Sequence, residues 1–185
     1  MRLSGTIFPG SGGFRVRMEM KHILLITGLI IFSFSVGAQS NFSKIAGIDH
    51  VVQQIDQVAD SVQEVFYLSK WQKNGDVYKE TWHFTRQGNR VLVFQIRYVI
   101  DSVEYSEIYY LDRKRLIFSE EYETVYSGAE DRLSFARICH FLGLDLAQIV
   151  TLGRSRSYSP HFAAGYETMN KFFRRFRELE QHVQL

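Results

Sequence analysis

VYKETWHFTRQGNRVLVFQIRYVIDSVEYSEIYYLDRKRLIFSEEYETV, residues 77–125, is dense in β-branched and aromatic side chains and is broken at Gln87-Gly88-Asn89, Ile100-Asp101-Ser102 and Asp112-Arg113-Lys114. Runs of that kind between short turn signals read as strands. The same composition continues past Ser127-Gly128 and Gly143-Leu144-Asp145. The expected strands are 77–86, 90–99, 103–111, 115–125, 133–142 and 147–152. Links this short suit antiparallel neighbours, because a parallel pair needs a crossover of about a dozen residues. The sequence therefore predicts an antiparallel β-meander of about six strands.

On the N-terminal side of Asn74-Gly75-Asp76 the period changes. Ile45, Ile48, Val52, Ile55, Ala59, Val62 and Phe66 recur in steps of three and four, and Val51, Val58 and Val65 widen the stripe. This predicts an amphipathic helix over 43–66, broad enough on its apolar side to lie on a sheet. On the C-terminal side, Ser159-Pro160 has the form of a helix start. Phe162, Tyr166, Met169, Phe173, Phe176, Leu179 and Val183 follow at helical spacing, with Phe172 beside them. The expected class is α+β, with an N-terminal helix, the meander and a C-terminal helix in one domain over 39–185.

The hairpins carry a faint internal echo in Glu80-Thr81-Trp82-His83-Phe84, Glu107-Ile108-Tyr109-Tyr110-Leu111 and Arg137-Ile138-Cys139-His140-Phe141. The stretch Tyr109-Tyr110-Leu111-Asp112-Arg113-Lys114-Arg115-Leu116-Ile117-Phe118 resembles the Tyr-Tyr-Phe-x-x-Gly-Lys-Leu hairpin of a group of small exported bacterial proteins of uncharacterised function. The likeness covers residues 43–152, and Lys114 or Arg115 stands where a turn glycine is usual. A more distant similarity is to MORN-like hairpin repeats, which are glycine-rich, whereas only seven glycines follow residue 38. Neither resemblance implies catalytic residues.

Ahead of the domain, Ile23 to Val36 is a charge-free run of 14 residues after Lys21-His22, closed by Val36-Gly37-Ala38. It is short for a bilayer span of about 20 residues and resembles an export signal cut after Ala38. Met18 and Met20 are natural start sites for it, so residues 1–38 carry no fold argument. Arg2, Arg15, Arg17, Lys21 and Glu19 leave with that segment, which turns 22 Lys+Arg and 20 Asp+Glu into 18 and 19. The basic balance of the whole sequence thus gives no reason to expect nucleic acid. The expected location is periplasmic or secreted, without a membrane span after cleavage. Cys139, the single cysteine, has no internal partner there and is expected in a strand core.

Motifs for chemistry are sparse. His50, His83, His140, His161 and His182 show no HxH, HExxH or CxxC spacing, so no metal or other cofactor is expected. Cys139-His140 and Trp82-His83 are adjacent strand residues and point to opposite faces. No G-x-S-x-G, S-x-x-K or glycine-rich phosphate loop appears in a catalytic context. Glu104, Glu107, Glu120, Glu121 and Glu123 form an acidic strip, expected to lie on a solvated edge or open face. Residues 153–185 carry net +3, with Lys171, Arg174, Arg175 and Arg177 among them. That basic group fits either an anionic partner or a solvated helix face paired with the acidic first helix.

Fourteen of the 23 aromatics after residue 38 lie between Phe66 and Tyr126. In strand 103–111, Tyr105 and Tyr109 point to one side and Ile108 and Tyr110 to the other. The expectation is an exported, non-enzymatic binding module for an envelope protein or glycan. Its contacts would be Trp82, Tyr105, Tyr109 and Tyr110 on the sheet, with Arg174 and Arg175 on the last helix. The alternative is an exported hydrolase using Glu80, His83, Glu104 or Glu107. A deep pocket with converging carboxylates or histidines would favour the enzyme, and a flat open aromatic face the binding module.

Overall fold

The computed structural model describes residues 41–59, 62–128, 130–155 and 163–183. The expected export signal and the expected helix start at Ser159-Pro160 lie outside those residues, as do His161 and Phe162. The expected first helix is shorter than its stripe. Helix α1 spans 41–59, and strand β1 (Glu64–Trp71) follows at once. Val62 and Phe66 continue the helical spacing, but along β1 exposure alternates residue by residue, with Phe66 and Leu68 packed on the core and Val65 and Tyr67 exposed. Pairing decides between them: Phe66 lies opposite Trp82 in the ladder, and the two rings stack at 5.3 Å. Among the described residues the sheet thus has seven strands where about six were expected.

The remaining strands fall where the turn signals place them: β2 (Val77–Gln87), β3 (Arg90–Ile100), β4 (Val103–Asp112), β5 (Arg115–Tyr126), β6 (Asp131–Leu142) and β7 (Asp145–Gly153). Their order in the sheet is their order in the chain, and every neighbour pair is antiparallel. Helix α2 (Ala164–Val183) closes the domain.

Two of the hairpins turn without glycine. Asp101 and Ser102 have φ of 49° and 62°, and Arg113 and Lys114 have 51° and 65°. Positive φ at both central residues is the type I′ pattern, which suits the twist of the flanking strands but crowds an L side chain. Replacing Lys114 with Gly is therefore expected to stabilise the fold by about 0.5–1 kcal/mol, the left-handed penalty less the extra chain entropy of glycine. The exposed Lys114–Glu180 pair at 3.3 Å adds little to be lost. Urea unfolding of the variant checks this; a lower midpoint at unchanged slope would refute it.

The helices lie on opposite faces of the sheet. Ile48 and Ile55 of α1 pack with Val93, Tyr110 and Phe118, and Val51, Val52, Ile108 and Ile138 border them. Asp49 accepts from His140 Nε2 at 2.8 Å, and Tyr110 Oη donates to Asp56 at 2.9 Å, tying α1 to β6 and β4. Met169, Phe172, Phe176 and Leu179 of α2 pack on the other face, against Trp82, Phe94, Ile96, Tyr109 and Phe141. Phe172 occupies the core while Phe173, placed on the stripe by spacing, is 47% exposed. This two-sided arrangement also corrects the expected pairing of a basic last helix with an acidic first one, since the sheet separates them.

Candidate functional site

The α2 face of the sheet carries a row of carboxylates that strand geometry alone would not tolerate. Glu107 lies directly opposite Glu121 in the β4–β5 ladder, and Tyr105 opposite Glu123. Glu80 sits further along the same face. Glu80, Glu107 and Glu123 are all buried, although like charges facing each other across a ladder are destabilising. The expected solvated acidic strip is thus divided: Glu107, Glu121 and Glu123 turn under α2, while Glu104 and Glu120 point to the α1 face.

Helix α2 supplies the compensation from Lys171 and Arg175, one turn apart on its inner face. Arg175 reaches Glu80 through Nη1 at 2.9 Å and grips Glu107 through Nε at 3.2 Å and Nη2 at 3.4 Å. Lys171 Nζ stands 3.1 Å from Glu107 and 3.6 Å from Glu121. Tyr98 and Tyr109 donate to the two Glu107 oxygens, each at 3.0 Å, and Trp82 Nε1 donates to Glu80 at 3.1 Å. Burial alone would raise the Glu107 pKa, but Lys171 and Arg175 overcome it and hold the carboxyl down to about 2. Burial likewise depresses Lys171, and Glu107 and Glu121 more than restore it, leaving it above the ordinary lysine value.

Beyond this locked network the space between sheet and helix opens into a cleft of about 360 Å³. Its floor is Tyr98, Tyr105, Glu121, Glu123 and Arg137, and its helix wall is Glu167, Thr168, Lys171 and Arg174. Ser155 closes one end and donates from Oγ to Glu123. Gly153 makes that closure possible: at φ 73° it turns the chain off β7 so tightly that a Cβ would stand 2.1 Å from the Ser134 carbonyl oxygen. Tyr105 stacks on Tyr98 at 5.1 Å, and Tyr98 packs in turn on Tyr78.

Of the six residues expected to make contacts, Tyr105 and Arg174 line this cleft. Trp82 and Tyr109 are fully buried beneath α2, Tyr110 is buried beneath α1, and Arg175 is 6% exposed inside the ion-pair network. The aromatic excess is therefore mostly core, divided between two covered faces, and alanine at Tyr109 or at Tyr110 is expected to lower stability in both cases. The large aromatics that remain exposed in β1 are Tyr67 and Trp71, neither of them singled out from the sequence. Glu121, Arg137 and Thr168 were likewise not read as site residues. The period-two alternation of the strands is the signal that groups Glu121 with Glu123, and helical spacing groups Thr168 with Lys171.

The other reactive groups lie apart. Burial, and after it Glu121, pushes the Cys139 thiol up to about 11, which suits a packed thiol. His83 bonds Gln63, His140 bonds Asp49 and His182 stacks on Phe66, at separate places on the sheet. Among the described residues, no three His, Cys, Asp or Glu side chains gather as metal ligands, and no helix is long and apolar enough to cross a membrane. The chain matches no protein-family model, no curated protein and no solved structure.

Proposed function

We propose that the chain is an exported binding module and that the cleft between α2 and the sheet takes a small polar ligand of the cell envelope. The observation that carries this reading is the cleft itself, whose volume of about 360 Å³ lies in the range of small-molecule sites. Its wall combines stacked tyrosines with charged side chains held in place by a buried network. Carboxylates converging on a pocket would favour the enzyme, but the buried Glu107 beside this cleft is not tuned for acid–base chemistry. A general acid or base works best with a pKa near the working pH, and Glu107, at about 2, is a fixed anion. The carboxyl that burial does raise, Glu120, sits on the α1 face.

The test is native mass spectrometry of the protein purified from its host without denaturation. A small-molecule adduct is expected, and it is expected to vanish in the Tyr105→Ala/Arg174→Ala double variant, whose changes lie at the cleft rather than in the core. No adduct, or one indifferent to both substitutions, would remove the cleft from consideration. The same preparation addresses export. Its intact mass is expected to correspond to a chain beginning at Gln39, and retention of residues 23–36 would show that the apolar run is not a cleaved signal.

A further inference from the structure

We infer that the chain pairs with a second copy of itself, edge to edge through β7, so that two seven-stranded sheets join into one. The pairing is independent of the cleft under α2. Among the described residues β7 is bonded on one side only, to β6. An open edge strand invites another strand, and charged side chains or proline are the usual protection. The opposite edge, β1, carries Glu64 and Lys70. Between Asp145 and Arg154, β7 reads Leu-Ala-Gln-Ile-Val-Thr-Leu-Gly, with no charge and no proline.

Helix α1 overhangs this edge by one strand position. Asp49 bonds His140 on β6, and Asp56 bonds Tyr110 on β4. That seven-residue step advances about 10.5 Å along the helix, and the two strand spacings from β4 to β6 amount to about 9.6 Å, so α1 crosses the strands nearly at right angles. Phe42 is one further step before Asp49, on the same side of the helix. It therefore stands one strand spacing beyond β7, over a position that no described strand fills, and it is 77% exposed.

The surface that fits beneath Phe42 belongs to β7 itself. Val150 lies opposite Ile138 and Leu152 opposite Ala136, and Ile138 borders the α1 core. Both side chains thus face the α1 side of the sheet, where they are 51% and 61% exposed. With two antiparallel copies related by a two-fold axis at Val150, Leu152 of each comes opposite Gln148 of the other. Gln148 is the ladder neighbour of His140, the level at which α1 crosses. Phe42 of one copy then lies over Leu152 of the other, and both leave water. In this register the two α1 helices cross the joined sheet four residues apart, about 13.6 Å, which clears the roughly 8–10 Å of packed helices. An axis at Ile149 would bring them to about 6.8 Å, too close for two helices.

Charge selects the second copy as the occupant. Antiparallel pairing sets Asp145 of each copy beside Arg154 of the other, at the two ends of an uncharged strand. A parallel arrangement would set like charges together. Such self-complementarity is what a two-fold contact requires.

The experiment is sedimentation velocity with light scattering on the chain recovered from its host, at about 0.1 mM, where complexes of micromolar Kd are populated. A dimer is expected. Val150→Lys is expected to give a monomer with unchanged circular dichroism, because it sets two like charges together at the axis. Phe42→Asp lies in the exposed first turn of α1, where an acidic residue suits the helix. It is expected to raise the dimer Kd about tenfold or more, and it decides alone should Val150→Lys misfold. Asp145→Arg and Arg154→Asp are each expected to weaken the dimer, and their combination to restore it. A monomer at that concentration, or a dimer indifferent to Val150→Lys and Phe42→Asp, would overturn the pairing. A combined charge reversal that recovers nothing would overturn the antiparallel two-fold arrangement.

Discussion

Arg175→Ala is expected to cost about 3–5 kcal/mol of folding stability, the range for removing one partner of a buried ion pair. Its guanidinium is the link between α2 and two carboxylates that water does not reach: Glu80 at 0% exposure and Glu107 at 1%. Lys171 remains beside Glu107 in the variant, but Glu80 keeps only the Trp82 indole N–H. The cost is mainly that of a stranded charge, so Glu80→Gln in the Arg175→Ala background is expected to recover part of it. Denaturant unfolding of the single and double variants measures both effects. A cost below about 1 kcal/mol for Arg175→Ala would mean that the network is solvated and its ion pairs no stronger than surface pairs.

The same network sets an acid limit on the fold. Glu107 titrates near 2 in the native state against an ordinary value of 4.5, so the unfolded chain binds the proton first. The stability contributed by Glu107 is complete above 4.5 and is lost as pH falls from there through about 2. In Arg175→Ala that acid limb is expected to flatten in part, because Lys171 still holds the carboxyl down and only the second of its two cations is gone. An unchanged limb would assign the acid sensitivity to other groups.

Trp82→Ala is expected to cost about 3–5 kcal/mol as well, as truncation of a buried tryptophan does. Trp82 is fully buried, stacks on Phe66 at 5.3 Å and on Phe94 at 6.1 Å, and has the Arg175 guanidinium 5.7 Å from its ring. Truncation opens a cavity at the centre of the α2 face and also removes the donor to Glu80. Trp82→Phe separates the two losses: it keeps most of the packing and leaves the Glu80 oxygen without its N–H, expected to cost about 1–3 kcal/mol. A Trp82→Ala protein of near-native stability would contradict the structure, since it would return this residue to the surface.

Much of the sheet is legible in the sequence because its turns are short and marked. Gly88, Asp101-Ser102, Lys114 and Gly143 locate four hairpins within a residue or two, and the strands between them follow. The boundary between α1 and β1 is not, because Val62 and Phe66 satisfy both periods and only the ladder with Trp82 separates them. The site is obscured by a finer irregularity. Counting back from the Arg113-Lys114 turn along an unbroken ladder pairs Glu107 with Glu120. The register shift between Tyr110 and Leu111 moves the partner to Glu121, and one residue of slip reverses which side chain faces α2. The direction of Lys171 and Arg175 is hidden for a related reason. Composition shows a basic helix, while the carboxylates that draw two of its cations inward lie about 50 to 95 residues earlier in the chain.

The strictly sequential order of the strands bears on how the chain assembles. Each strand pairs only with its chain neighbours, so the loops closed by the sheet are short and their entropy small, and the non-local steps are the docking of α1 on one face and of α2 on the other. Before α2 docks, the face that it will cover is open to water. Glu80, Glu107, Glu121 and Glu123 then stand on it among Trp82, Phe94 and Tyr109, and interrupt what would otherwise be a contiguous apolar patch. The glutamates that need Lys171 and Arg175 in the finished protein thus also make the sheet face beneath α2 less adhesive wherever that helix is undocked.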